Sequence, residues 1–263
     1  LLGADAVLMA ENARLAADLG ALGIDLNFGC PAKTVNRHQG GAVLLEHPQR
    51  LHRIAATVRS ALPTRVPLTA KMRLGFDDTE LALDNARALA SAGVQWITVH
   101  ARTRSDGYRP PAYWDWIPRL QAAAGIPIIA NGEIWSRADF ERCRATTGAA
   151  GYMLGRGAVA RPDLARQIRS AMIPAQSGQL SWQQVRPLLH ELYDGTVAHT
   201  QRTQPQQRAA ARVKQWLRYL GGSYPEAADL FHRVKTERDP QVLMQYVAGP
   251  TAAATGVLSG ALS

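Results

Sequence analysis

Short apolar runs alternate with amphipathic segments through the first two-thirds of this chain, and that rhythm excludes most folds before any single residue is weighed. Residues 24–28, 66–74, 96–102, 126–133 and 151–156 each read as a strand. Apolar residues recur at helical spacing over 47–61, 78–92, 113–124 and 136–147, with further helical segments at 5–20 and 161–173. Strands separated by helices pair in parallel, because each helix carries the chain back to the starting end of the sheet. The period is roughly 25–35 residues, and eight such units close a (β/α)8 barrel of about 250 residues. Four or five units are visible. The expected fold is therefore α/β, a (β/α)8 TIM barrel whose first strands would precede Leu1, since the chain opens Leu1-Leu2-Gly3 as if at the end of a strand.

The rhythm stops near Ser177 and Gly178, and residues 181–249 keep helical periodicity with no strand between. The expected organisation is a partial barrel over 1–176, a small all-α domain over 181–249 and a disordered tail over 250–263. The tail is uncharged and built mostly of Ala, Thr, Gly and Ser. Thirty Lys and Arg residues face 21 Asp and Glu, a net charge of +9. Such a balance favours a polyanionic partner, although a generally basic proteome would produce it too. Arg202, Arg208, Arg212, Lys214 and Arg218 concentrate the charge in the helical segment. No run of eighteen apolar residues suggests a membrane span, and no basic-then-apolar leader is visible, so a cytoplasmic location is expected. Cys30 and Cys143 are too few and too separated for a disulfide framework or a zinc site. No metal is expected, and the protein is expected to be a monomer.

In a parallel barrel the reacting groups lie at the C-terminal ends of the strands. Those ends carry Asn27 and Cys30, Lys71 and Arg73, His100 and Arg102, Asn131 and Glu133, then Gly155 and Arg156. A strand buried on both faces should stay apolar, so packing alone does not account for the polar ends. Cys30 could be a nucleophile, a metal ligand, a core filler or a proton donor. The lack of clustered ligands removes the metal, and the loop position argues against core filler. Gly29 before it permits backbone angles closed to other residues, and Pro31 after it favours an extended Cys30. Gly155-Arg156-Gly157 follows a strand and precedes a helix, where backbone N–H groups can hold a phosphate. Asn131-Gly132-Glu133, one unit earlier, supports a phosphorylated cofactor across the barrel mouth.

Five stretches together resemble one family: Leu26-Asn-Phe-Gly-Cys-Pro-Ala-Lys33 with Gly40-Gly41-Ala42, Ala70-Lys-Met-Arg-Leu-Gly75, Val99-His-Ala-Arg-Thr103, Ile129-Ala-Asn-Gly-Glu-Ile134 and Met153-Leu-Gly-Arg-Gly157. They are similar, in order, to motifs of the tRNA-dihydrouridine synthases, flavin enzymes that reduce uridine in tRNA. The resemblance implies that Cys30 is the proton donor. It implies FMN contacts by Lys71, His100, Asn131, Gly132, Glu133, Gly155 and Arg156, with NADPH or NADH as electron donor. Asn27 and Tyr108 would face the target nucleotide. Ala211-Arg-Val-Lys-Gln-Trp-Leu-Arg-Tyr-Leu220 resembles the helical tRNA-binding domain of the C-type bacterial subfamily, whose members modify the D-loop uridine at position 16. Arg212, Lys214 and Lys235 would then be phosphate contacts. Family members also carry a preceding segment with the first barrel strands, a Pro-Met loop and a glutamine at the flavin. Two other readings remain open at this point. One is a small-molecule FMN oxidoreductase on the same barrel, which leaves the basic helices without purpose. The other is a truncated, non-catalytic RNA-binding relative, which does not account for Cys30, Lys71 and His100.

Overall fold

The computed structural model describes residues 1–172 and 179–249, in two compact units that divide at Gly155 and Arg156. The first unit is built on five parallel strands, β1 (Ile24–Asn27), β2 (Leu68–Arg73), β3 (Ile97–His100), β4 (Ile128–Asn131) and β5 (Gly151–Met153). They are hydrogen-bonded in the order of the sequence. A doubly wound sheet would reverse its order at a switch point, whereas sequential order is that of consecutive units of a (β/α)8 barrel. The fold is thus α/β of the TIM-barrel class, followed by a helical unit.

Helices α1 (Ala6–Asp18), α3 (Pro48–Ala61), α4 (Ala82–Ser91), α5 (Trp116–Ala124) and α6 (Arg137–Thr147) fall where the apolar periodicity predicts them. Their ends follow local chemistry. The Asp5 carboxylate accepts the N–H groups of Val7 and Leu8 at 2.9 and 3.0 Å at the start of α1, and Pro48 opens α3 without needing a partner for an N–H. Helix α1 packs on α3, α3 on α4 and α4 on α5. Two elements had no sequence signal: α2 (Lys33–Arg37) and a 3-10 turn at Gly41–Glu46. Both belong to the long excursion between β1 and α3, where no apolar period exists to betray them.

Register sorts the strand residues by face. Leu26 lies opposite Ala70, which lies opposite Ile97, which lies opposite Ile128, and Met72 lies opposite Val99 and then Ala130. All seven are fully buried. Because side chains alternate along a strand, the other face carries Asp25, Asn27, Thr69, Lys71, Arg73, Thr98, His100 and Asn131. One face is therefore all hydrocarbon, and the other is almost all polar.

The second unit contains α7 (Arg156–Ala160), α8 (Leu164–Met172), α9 (Trp182–Val185), α10 (Leu188–His199), α11 (Pro205–Leu220), α12 (Pro225–Val234) and α13 (Pro240–Ala248), with no strand among its described residues. The helix expected over 161–173 is α8, which starts at Leu164, and the short α7 on the other side of Pro162 was not expected. Residues from 156 onward group with the helical unit, earlier than position 176, because α7 packs on α11 and the Trp216 indole donates to the Val159 carbonyl at 2.9 Å. The core of this unit holds Val185, Leu189, Val213, Leu217, Leu220, Ala227, Val234, Leu243 and Val247, all fully buried. The disorder expected over 250–263 and the break at Ser177 and Gly178 lie outside the described residues.

Leu217 sits centrally in that core on α11. Leu217→Ala should lower stability by about 2–5 kcal/mol through lost burial and a residual cavity, measured as a shift in the urea midpoint with the slope unchanged.

Candidate active site

The polar face runs out at the C-terminal ends of the strands, and the site is built there. In register, Asn27 lies opposite Lys71, and Arg73 lies opposite His100, which lies opposite Asn131. Five of the residues singled out in the sequence thus occupy two adjacent rows of one sheet face, Arg73 having been noted only as a strand-end group.

Cys30 follows β1 in a loop that its own backbone helps to close. Its carbonyl accepts the side-chain amide of Asn36 at 3.0 Å and the N–H of Ala42 at 3.1 Å. Asn36 is nearly buried, donates also to the Ala32 carbonyl at 2.8 Å and accepts the Val43 N–H at 2.8 Å. The special backbone angle expected at Gly29 falls instead at Gly41, where φ is +70°. A Cβ on Gly41 would stand 2.8 Å from the Cys30 carbonyl oxygen, so only glycine lets α2 and the 3-10 turn close against the thiol loop. Gly29 contributes a close approach to β2, with a Cβ there meeting the Met72 carbonyl carbon at 3.4 Å. The Asn27 side chain accepts the Gly29 N–H at 3.0 Å. The thiol itself is half-buried.

Lys71 is partly buried and has no hydrogen bond or ion pair among the described residues. Burial first, and the neighbouring Arg73 guanidinium second, push its pKa below the ordinary 10.5, while Asp25 acts the other way. Asp25 is itself bonded to the Thr69 hydroxyl at 2.7 Å. An unpartnered, partly desolvated ammonium is costly, and it is the kind of group that an electron-rich ligand would complete.

Two buried arginines secure the loops around these residues. Arg73 is 2% exposed and donates to the carbonyls of Gly29, Thr103 and Gly107 at 3.0, 2.8 and 2.9 Å. Arg102 is 0% exposed and donates to the Arg109 carbonyl at 2.6 Å and the Pro111 carbonyl at 3.2 Å, while it pairs with the Glu133 carboxylate. It also meets His100 Nε2 at 3.2 Å. A guanidinium only donates, so Nε2 offers its lone pair and Nδ1 carries the proton. Gly132, at φ +120°, passes so close over this imidazole that a Cβ would sit 3.0 Å from its Cδ2. Glu133 holds a left-handed φ of +59° without being glycine, and its second oxygen accepts the Trp135 indole N–H at 3.0 Å. Asn131 donates to the Met153 carbonyl at 2.8 Å. Tyr108 is half-exposed, with its ring 5.9 Å from that of His100. Gly155 has open space where a Cβ would stand, and Arg156 begins α7.

The polar strand ends made this assembly legible. Asn36, Trp114 (donor to the Gly132 carbonyl at 3.0 Å) and Trp135 were missed, because nothing in their local pattern marks them as clamps. Cys143 lies buried in α6 away from these rows, its thiol pushed up to about 11 by burial. Among the described residues no group of three His, Cys, Asp or Glu could hold a metal, and no helix is long and apolar enough to cross a membrane.

The basic residues of the second unit differ in their commitments. Lys214 donates to the Glu237 carbonyl, and Lys235 Nζ stands 3.4 Å from His232 Nδ1. Arg212 is exposed and, like Arg202, has no hydrogen bond or ion pair among the described residues. Both line a cleft of about 810 Å³ between α10 and α11, together with His199, Arg208 and Glu191.

The dihydrouridine synthase (Dus) family model matches residues 1–245. Curated relatives named tRNA-dihydrouridine(16) synthase agree over nearly the same span. That of Pseudomonas syringae pv. tomato is 51% identical over 239 residues, covering 91% of this chain and 74% of the relative. That of Cupriavidus necator is 48% identical over 258 residues, covering 97% and 78%. That of Neisseria meningitidis serogroup B is 42% identical over 248 residues, covering 94% and 74%. A match that takes in the Cys30 loop, the polar strand ends and the basic helices alike leaves one conclusion: the chain belongs to the dihydrouridine synthase family.

Proposed function

We propose that the protein reduces the C5–C6 bond of a D-loop uridine in tRNA, at position 16, using FMN with NADPH or NADH as electron donor. The observation that carries this reading is the unpartnered Lys71 ammonium in the two polar rows that hold Asn27, His100 and Asn131, on a sheet whose first strand leads into the half-buried Cys30. The donor set suits FMN. Lys71 offers a cation to the electron-rich end of a flavin ring, His100 and Asn131 offer hydrogen bonds, and the open space at Gly155 leaves room for a phosphate with Arg156 next in the chain. Gly132 and Glu133 complete the proposed cofactor residues. FMN, when bound, supplies the hydride for uracil C6.

Every other part of the reaction falls to side chains. Cys30 holds a proton at Sγ for uracil C5, so hydride and proton together saturate the bond. Asn27 and Tyr108 orient the uracil after it leaves its stack, which such chemistry requires. The Cys30 loop is tied by Asn36 and Ala42, so little reorganisation is needed when the base arrives. Arg212 in the α10–α11 cleft, with Lys214 and Lys235, is proposed to contact tRNA phosphates, sequence-independent contacts that fix the register of the RNA. The protein is proposed to act as a cytoplasmic monomer. A small-molecule flavin reductase would not need the two unpaired arginines of that cleft.

Cys30→Ala should bind FMN and tRNA normally yet form dihydrouridine about 10²–10⁴ times more slowly; product formation at the parental rate would remove the acid role. Arg212→Ala should weaken tRNA binding and reduce the steepness of its salt dependence by about one released ion, whereas an unchanged slope would take the residue out of the RNA contact. Lys71→Met should raise the melting temperature at neutral pH while abolishing FMN binding. The sign follows from the lowered folded-state pKa. The unfolded chain binds the proton more tightly, so the penalty is complete below the folded value and disappears above 10.5. Stability of the parent should therefore gain on the variant's as pH rises through that window.

A further inference from the structure

Arg73 has no place in the reaction so far described, yet it is among the most deeply buried large side chains of the molecule. No carboxylate pairs with it within 4.0 Å among the described residues. Its charge is met by the three carbonyl oxygens, by the Tyr108 side chain, which bonds it and whose ring centroid lies 5.4 Å from Cζ, and at longer range by the Asp106 carboxylate. Burying a cation in this way is unfavourable compared with an apolar side chain of similar volume. A residue kept for stability alone would not be an arginine.

What distinguishes the three carbonyls is their place in the chain. Gly29 precedes Cys30, and Gly107 precedes Tyr108. The Nε bond to Gly29 therefore fixes the peptide group leading into the thiol, and the Nη1 bond to Gly107 fixes the one leading into the phenol. The bond to Thr103 anchors the start of the same second loop. One rigid planar fork thus holds two loops that come from different strands and are 78 residues apart at these two glycines (107 minus 29). A lysine reaches one acceptor direction with a point charge and cannot span both loops in fixed geometry.

We infer that Arg73 is the positioning residue that couples the Cys30 loop to the Tyr108 loop, so that the proton donor and the aromatic side chain facing the nucleotide keep a fixed mutual placement. The inference rests on the proposed roles of Cys30 and Tyr108 for its functional meaning, but the coupling itself does not depend on them. Arg73 acts through these two residues and touches no reacting atom.

The test uses the full chain and two readouts. Cys30 alkylation by iodoacetamide, followed by peptide mapping to separate it from Cys143, reports the first loop without any catalysis. Tryptic cleavage after Arg104, which Ser105 follows, reports the second. In Arg73→Lys, both rates should rise about tenfold, as expected when charge-assisted bonds that restrain local opening are lost. Single-turnover dihydrouridine formation at saturating tRNA should fall about tenfold or more, with tRNA affinity changed less than about threefold. If Arg73→Lys shows no cooperative melting, Tyr108→Ala takes its place. Removing the ring that lies against the guanidinium should then speed Cys30 alkylation, although Tyr108 belongs to the other loop. Parental alkylation and cleavage rates in the folded Lys variant, or a parental alkylation rate in Tyr108→Ala, would overturn the coupling. Faster alkylation and cleavage in a protein that never forms dihydrouridine would uphold the coupling and refute the proposed function instead.

Discussion

In a parallel sheet every chain turn between neighbouring strands is replaced by a loop and a helix, so the loops that carry chemistry arrive at the C-terminal edge with no strand partner to hold them. Here two buried guanidiniums supply the restraint. Arg73 at the end of β2 and Arg102 just beyond β3 between them bind five backbone carbonyls, four of which belong to the segment from Thr103 to Pro111. The segment between β3 and α5 has little secondary structure, and its placement is set by these bonds. The polar face of the sheet makes them available, because Arg73, His100 and Asn131 share one register row.

The same region concentrates costs that packing would avoid. Lys71 is a partly desolvated cation without a partner, Glu133 keeps a left-handed backbone angle with a full side chain, and Gly132, at φ +120°, lies so near the His100 ring that a Cβ would stand 3.0 Å from its Cδ2. Strain and unpaired charge at one edge of a fold whose opposite face is uniformly hydrocarbon mark that edge as selected for something other than stability. The Glu133 carboxylate has a structural reason to accept its strain, since one oxygen pairs with Arg102 and the other with the Trp135 indole. Through Arg102 that carboxylate also reaches the imidazole, so the state of His100 is set by a chain of contacts that begins in the next β/α unit.

The sheet was readable from sequence because its period is long and its strands are apolar on one side, and Lys71, His100 and Asn131 stood out as polar interruptions at strand ends. Helix boundaries moved by a few residues, and the short α7 before Pro162 carried no signal of its own. Harder to see was the closure of the Cys30 loop. The Asn36 side-chain amide and the Ala42 N–H reach the Cys30 carbonyl from 6 and 12 residues away (36 minus 30, and 42 minus 30), a distance over which no periodicity carries information. Arg73 was visible as a charge but not as a fork, because its acceptors are main-chain oxygens that every residue possesses. In the helical unit, charge alone did not separate Lys214, whose ammonium bonds the Glu237 carbonyl, from Arg212, which has no such bond.

Reduction of a uridine within tRNA by the strand-end site leaves a signature in mass. Purified protein supplied with FMN and NADPH should be given tRNA transcribed without modifications, and the nuclease fragments analysed by mass. The D-loop fragment that contains position 16 should gain one H2, and no other fragment should change. Oxidation of NADPH by the flavin-loaded protein with every tRNA fragment left at its starting mass would contradict that reaction.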